Sequence, residues 1–175
     1  MTDNQLTLRL CEPDDTPLIV PMIQAQVAAS GREAPDPDAL AEIVHALLIS
    51  QFSDFLLAQR GDRSVGVLQI NYRLSTWELA AYAVIEDFYL TPEARGQGVG
   101  TRMLDYACAR AEGRGAAFIQ AAVRSGDRAA KRLYEAFSFS ASANDLWRST
   151  LPLGCAVDFD APGIEIPSEE NSNER

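Results

Sequence analysis

Three places in the chain hold residue types that could do chemistry. The first is the run "RGQGVG", Arg95 to Gly100, with three glycines in six residues behind an arginine. It lies between an apolar run, "AYAVIEDFYL", and a helical segment, "TRMLDYACARAEG". A strand, a glycine turn and a helix in that order can seat a phosphate. The first N–H groups of a helix lack intrahelical partners, the helix dipole adds partial positive charge, and glycine lets the backbone come close to an anion. Two nucleotide loops can be tested by spacing. A P-loop needs a lysine after its last glycine, and none is present. A dinucleotide fingerprint needs Gly-x-Gly-x-x-Gly, whereas Gly96, Gly98 and Gly100 fall at every second position. The spacing that remains is Arg95-x-x-Gly98-x-Gly100.

The second place is the pair Glu86 and Asp87 inside the apolar run. Strict alternation puts Tyr82, Val84, Glu86, Phe88 and Leu90 on one face and Ala81, Ala83, Ile85, Asp87 and Tyr89 on the other. Both faces are mostly apolar, so the strand is expected to be central and Glu86 to lose solvation between Val84 and Phe88. Its pKa would then rise above the reference of about 4.3. Such a carboxylate could hold an ammonium and take its proton, directly or through water. A salt-bridged sheet residue is the plain alternative, and Asp87 stays open as the base. The third place is Tyr134, which shares a helical stripe with Ala129, Ala130, Leu133 and Phe137. Periodicity alone makes it a core residue whose hydroxyl needs a partner. His45, the sole histidine, lies off the apolar stripe of its helix, so a Ser–His–Asp triad has no local support.

The elements that must position these groups follow from pattern. Leu6–Leu10 alternates as a strand. A segment from Glu12 to Ser30 reads as helical, with Asp14, Asp15 and Thr16 as cap candidates, Pro17 in its first turn, and a break or kink at Pro21. Residues 38–52 form a second helix on the stripe Leu40, Ile43, Val44, Leu47 and Leu48, with Asp38 near its start. A hairpin turns at "RGDR", and Ala81–Leu90 is a third sheet segment. A helix from about Gly98 to Glu112 follows, on the stripe Met103, Leu104, Ala107, Cys108 and Ala111. A strand at 116–123, a helix from Asp127 to about Phe137 and a last strand in "DLWRSTLPL" complete the order. The fold class is α+β: antiparallel at first, ending in a β-α-β-α-β unit.

Composition bounds the rest. The 175 residues, 47% of them hydrophobic, suffice for one domain, expected to span 1–153. Residues 154–175 read as a disordered or loosely attached acidic tail. The formal net charge is −10, which argues against a nucleic acid or an anionic membrane as partner and suits a cationic small molecule. Cys11, Cys108 and Cys155 show no zinc spacing and no disulfide framework, and Cys108 reads as a buried small hydrophobe. No metal is expected. With no secretory pattern and no apolar run long enough to span a bilayer, a reducing cytoplasm is the expected compartment. A homodimer is carried as the assembly.

The stretch "EDFYLTPEARGQGVGTRML" resembles the acetyl-CoA loop of the GNAT superfamily of acyl-CoA-dependent N-acetyltransferases. The likeness continues through "AAVRSGDRAAKRLYEAFSF", is clear from about Thr76 to Leu151 and is weaker before that. The resemblance implies a GNAT-like mixed sheet and acetyl-CoA as co-substrate. It implies a pyrophosphate site at Arg95, Gly96, Gln97, Gly98, Val99, Gly100 and Thr101, mostly through backbone N–H groups. It places Phe88, Tyr89 and Leu90 against the acetyl and pantetheine portion, with an oxyanion held by backbone N–H near Leu90. "I-E-D-F" looks like the strand of diamine acetyltransferases whose Glu lies near the substrate amine, which implies Glu86 as base. Tyr134 is implied as the acid for the departing thiolate. Two positions depart from the family pattern. Asp127 stands where Asn is frequent; it can cap the helix but cannot donate to the CoA arm through an amide. Ser138 stands where Gly is usual, which suggests a different turn or some strain. The expected activity is acetyl transfer to a primary amine such as a polyamine, an aminoglycoside or a lysine-like acceptor. The alternatives are a protein lysine or N-terminal acetyltransferase and a non-catalytic acetyl-CoA-binding regulatory module.

Overall fold

In the computed structural model, residues 5–124 and 126–140 are described. The strands are β1 (Leu6–Leu10), β2 (Ser53–Arg60), β3 (Arg63–Ser75), β4 (Ala80–Leu90) and β5 (Ala116–Ala121). The helices are α1 (Thr16–Ala29), α2 (Pro37–Leu48), α3 (Val99–Gly113) and α4 (Arg128–Ala136). The five strands form one sheet in the order β1-β2-β3-β4-β5. Neighbours are antiparallel as far as β4, and β5 is parallel to β4. The expected α+β class and its change from antiparallel to parallel are therefore found. The last strand expected in "DLWRSTLPL", Cys155 and the acidic tail lie outside the described residues. Among the described residues no helix is long and apolar enough to cross a membrane.

The sheet has an apolar layer on each face, because alternate residues of β2 serve opposite cores. Leu56 and Ala58 face one side, with Leu68 and Ile70 of β3 and with Val99, Met103, Leu104 and Ala107 of α3. Phe55 and Leu57 face the other, with Val67 of β3, Ile19, Val20, Met22 and Ile23 of α1, and Val44 of α2. Met103 and Leu104 are fully buried, each worth about 1.5–3 kcal/mol of apolar transfer. That contact holds α3 down along its length and so places its first turn.

The far end of α3 is tied by charge. The Asp54 carboxylate of β2 accepts from Arg110 Nε at 2.8 Å, from Arg114 Nη1 at 3.3 Å and from the Tyr72 hydroxyl at 2.8 Å. The Arg114 guanidinium also lies 4.1 Å from the centre of the Tyr72 ring.

Three local expectations change. Helix α1 runs through Pro21 without a break; the ring is exposed, sits early in the helix, and is flanked by four buried residues that hold the helix to the sheet. Helix α2 begins one residue earlier than expected. Its cap is Asp36, which accepts from the N–H groups of Asp38 and Ala39 at 3.1 and 3.0 Å. Ile43, expected on the buried stripe, is exposed, and Ala41 packs inward instead. His45 is exposed, as its place off the stripe implied.

Candidate active site

The site opens where two parallel strands part. Strand β5 pairs with β4 from Ala81↔Ala116 to Ile85↔Ala121, and the pairing ends there. Beyond Ile85, β4 continues to Leu90 paired with β3 alone. Between the free end of β4 and residues Ala122, Val123 and Arg124 lies a cleft of about 740 Å³. The start of α3, one face of α4 and the end of α1 complete its walls.

The glycine turn forms the α3 wall, and its glycines serve two different purposes. Gly96 and Gly98 have φ of +70° and +76°, the left-handed region where a side chain is strained. A Cβ added to either would meet nothing within 4 Å, so the turn is open above them. Gly100 lies inside α3 and is buried. Its Cβ would come within 3.3 Å of Leu90 Cδ1 and 3.4 Å of Leu133 Cδ2, so its absence lets the helix start close to the sheet. No side chain caps α3, whereas Asp36 caps α2 and Asp127 caps α4. The free N–H groups and the positive end of the dipole face the cleft, an arrangement that fits a diphosphate. Arg95 donates from Nε to the Leu90 carbonyl at 3.1 Å and lies 5.7 Å from the centre of the Tyr89 ring.

Tyr134 stands on the α4 wall, 7% exposed yet lining the cleft. Burial, then the nearby Asp127 and Cys108, push its pKa up to about 12. Asp127 also lines the cleft and accepts from the Ala130 N–H at 2.9 Å, the capping expected of it. Past the end of α4, Ser138 takes φ of +63°. Its N–H donates to the Glu135 carbonyl and the Phe139 N–H to the Tyr134 carbonyl, both at 3.0 Å. The left-handed closing turn is thus the one glycine would make, adopted by a serine. It brings the Phe139 ring to 5.0 Å from the Tyr134 ring.

The carboxylates are placed differently from the alternating pattern. Leu68 pairs with Phe88 and Ile70 with Ile85, so Glu86 and Asp87 together oppose Gln69 alone. This β-bulge breaks the period of two. Ile85 and Phe88 both pack on the α3 side, while Tyr89 packs on the α1–α2 side. The desolvation expected at Glu86 is not found: its side chain is 52% exposed at the cleft, with the Arg73 guanidinium 3.9 Å away. Burial falls instead on Asp87, whose carboxyl accepts from Gln26 Nε2 of α1 at 2.9 Å. Its pKa is raised, by desolvation first and by the neighbouring Glu86 second.

The cleft brings together Glu86, Phe88, Tyr89, Leu90, Arg95, Gly96, Gly98, Gly100, Thr101, Asp127 and Tyr134. Two expected residues do not line it. The Val99 side chain is buried in the α3 core, and Gln97 turns back to donate to the Glu93 carbonyl. Gln26 of α1, Ser30 just past its end, Arg124 after β5 and Arg132 of α4 line it without having been expected. The α1 residues carry no local signal, since only packing against β4 brings them there. Among the described residues no group of three or more His, Cys, Asp or Glu side chains is arranged to hold a metal ion.

Comparison with known proteins bears on the family and the fold. A profile of the acetyltransferase (GNAT) family matches residues 22–139. The chain is 25% identical over 130 residues to the uncharacterized N-acetyltransferase YhfO of Bacillus subtilis (strain 168), covering 74% of this chain and 87% of that protein. Among solved structures it is similar to a transcriptional regulator from Bacillus halodurans C-125, with a TM-score of 0.73 and 25% identity over 83% of this chain and 100% of that one. It also shares its fold with the aminoglycoside acetyltransferase meta-AAC0020 from an uncultured soil metagenomic sample, solved with sisomicin. The TM-score there is 0.71 at 18% identity, covering 86% of this chain and 99% of the other.

Proposed function

This chain belongs to the GNAT acetyltransferase family, and on that premise we propose that it transfers the acetyl group of acetyl-CoA to a small, cationic primary amine. The observation that carries the reading is the make-up of one cleft. An uncapped helix start stands on one wall, a buried tyrosine on another, and the exposed Glu86 carboxylate at the parting of β4 and β5. The helix start suits the donor's diphosphate. The Glu86 carboxylate suits an ammonium, which is the form of an alkyl amine of pKa about 10 at neutral pH.

Glu86 meets the acceptor. It holds the ammonium and takes a proton from it, directly or through water, so that the nitrogen lone pair is free. Attack forms the N–C bond, the nitrogen gives up a second proton to solvent, and the C–S bond breaks. The departing thiolate meets the Tyr134 hydroxyl, which burial keeps neutral and able to donate. The proton given up there is restored from solvent, and the proton taken by Glu86 returns to it. Asp87 does not line the cleft; it keeps Gln26 of α1 in place beside it.

Release of CoA thiol from acetyl-CoA across a panel of diamines, polyamines, aminoglycosides and lysine tests the reading. Turnover on at least one cationic amine is expected, and CoA binding without thiol release on any of them removes it. Tyr134→Phe should lower kcat about 100-fold while CoA affinity holds; unchanged turnover would take the tyrosine out of the chemistry. Glu86→Gln should cost most at low pH, where free amine is scarcest, and a loss that is flat across pH argues against the base.

A further inference from the structure

The end of the sheet opposite the cleft carries an apolar surface that the chemistry does not use. Strands β3 and β4 run on past β2. The β2 ladder begins at Ser53, opposite Asn71, while β3 continues to Ser75, opposite Ala80 of β4. The turn that closes this hairpin, 76–79, therefore projects beyond β2. Among the described residues eight large apolar side chains are exposed, and five of them stand at this end. They are Leu74, Trp77 and Leu79 of the hairpin, with Ile49 and Phe52 in the link from α2 to β2. The Tyr72 N–H donates to the Phe52 carbonyl at 2.8 Å, which sets that link against the root of the hairpin. Trp77 is 95% exposed and Leu79 88%. Leu79 also takes φ of +49°, a left-handed conformation that strains a leucine. The turn thus accepts backbone strain and still holds an apolar side chain out in water.

Two features say what covers this end. The first is area. Large side chains of this kind present about 150–250 Å² each when fully open, so at the exposures found the five offer roughly 700–800 Å². The largest apolar patch of a monomer is about 300–600 Å², whereas a stable interface takes about 800 Å² from each partner. The second is charge. The chain has a net charge of −10, yet the 14 positions 49–53 and 74–82 hold one charged side chain, Glu78. No Lys or Arg stands among them to meet a phosphate or an anionic lipid. A second acidic chain can approach there without meeting a cluster of like charge. An apolar surface is also its own complement, which a two-fold contact requires. We propose that a second copy of this chain packs on the tip of the β3–β4 hairpin and the α2–β2 link, as a two-fold dimer centred on Trp77 and Leu79. Strand β4, 11 residues or about 35 Å long, separates this contact from the cleft, so pairing leaves both clefts open.

Sedimentation velocity of the full chain, from micromolar to submillimolar concentration, tests this. A dimer that dissociates in the micromolar range or below is expected. Trp77→Gln should weaken it at least about 30-fold, the cost of removing a central aromatic anchor. Leu79→Asn should also weaken it; asparagine suits the left-handed conformation, so the loss cannot come from unfolding the hairpin. Ile43→Gln, at an exposed apolar position midway along α2, should leave pairing as it is. Circular dichroism checks that each variant folds. An unmodified chain that stays monomeric throughout overturns the proposal. If that monomer binds neutral lipid vesicles, the hairpin is a membrane contact instead. A dimer indifferent to both hairpin variants also overturns it, because the chains would then pair elsewhere. Equal weakening by Ile43→Gln overturns it by showing non-specific apolar association. None of these outcomes bears on the acetyl-CoA reading.

Discussion

Removing the Asp54 carboxylate should loosen the far end of α3, the helix that follows the glycine turn. Its side chain is 13% exposed, while those of Arg110 and Arg114 are 35% and 29% exposed. Breaking a fully buried pair costs about 3–5 kcal/mol, and an exposed one about 0.2–1 kcal/mol. With both guanidinium groups partly in water, about 2 kcal/mol is expected here. Asp54→Ala also strands the Tyr72 hydroxyl, adding about 1 kcal/mol. Asp54→Asn keeps an acceptor for that hydroxyl and should cost about 1–2 kcal/mol. For a domain of this size, a total near 3 kcal/mol for the alanine lowers Tm by roughly 6–12 °C.

The pH dependence follows from the sign. Burial pushes the Asp54 pKa up, but hydrogen bonds from Arg110 and Tyr72 and the nearby positive charges outweigh it, and the net shift is downward. A carboxyl whose pKa is lower in the folded chain contributes stability above its unfolded value, about 3.9, and loses it as pH falls through the folded value. Urea denaturation of the wild type and Asp54→Asn at several pH values reads both effects. The gap should be full at pH 7 and close as the medium is taken below pH 4. Equal stability at pH 7, or a gap that persists undiminished in strong acid, would refute the reasoning.

Three further outcomes follow from local geometry. Ser138→Gly should raise stability by about 1 kcal/mol, because the residue at φ +63° no longer carries a strained side chain; a lower melting temperature would show that the serine side chain earns its place otherwise. Asp87→Asn should stabilise the protein at pH 7 while keeping an acceptor for Gln26. The carboxyl's raised pKa means that ionisation costs stability as pH climbs from its unfolded to its folded value; paired denaturation curves should therefore converge below pH 4. Gly66→Ala should cost about 1–3 kcal/mol by overpacking, since its Cβ would fall 2.6 Å from Leu90 Cδ2 and 2.8 Å from Met103 Sδ. A weakened CoA affinity should accompany that loss, because Leu90 lines the cleft, and calorimetry reads it.

The glycine turn at the start of α3 was legible because its signal is local. Gly96 and Gly98 are glycines for a backbone reason, Gly100 for a packing reason, and all three lie between a recognisable strand and helix. Tyr134 was legible twice over, as one position on a helical stripe and as part of a motif; burial and cleft exposure are both found. The tight turn after α4 was legible as a departure at Ser138, and the structure shows the departure to be in residue type and not in backbone shape.

The carboxylate pair was not legible in the same way. Alternation assigns Glu86 and Asp87 to opposite faces, but one extra residue opposite Gln69 resets the pattern, and no residue type in "VIEDFY" announces a bulge. The burial of the two carboxylates was therefore exchanged: Glu86 meets water and Asp87 meets Gln26 of α1, 61 positions away in the chain. By itself the sequence determined the elements, the two-sided sheet and the helix start that suits the donor, because propensity, period and glycine spacing act over a few neighbouring residues. Tertiary structure decided where β4 and β5 part, which carboxylate is desolvated, and which arginines share the cleft. Those depend on strand register and on surfaces brought together from distant parts of the chain, which no local pattern encodes.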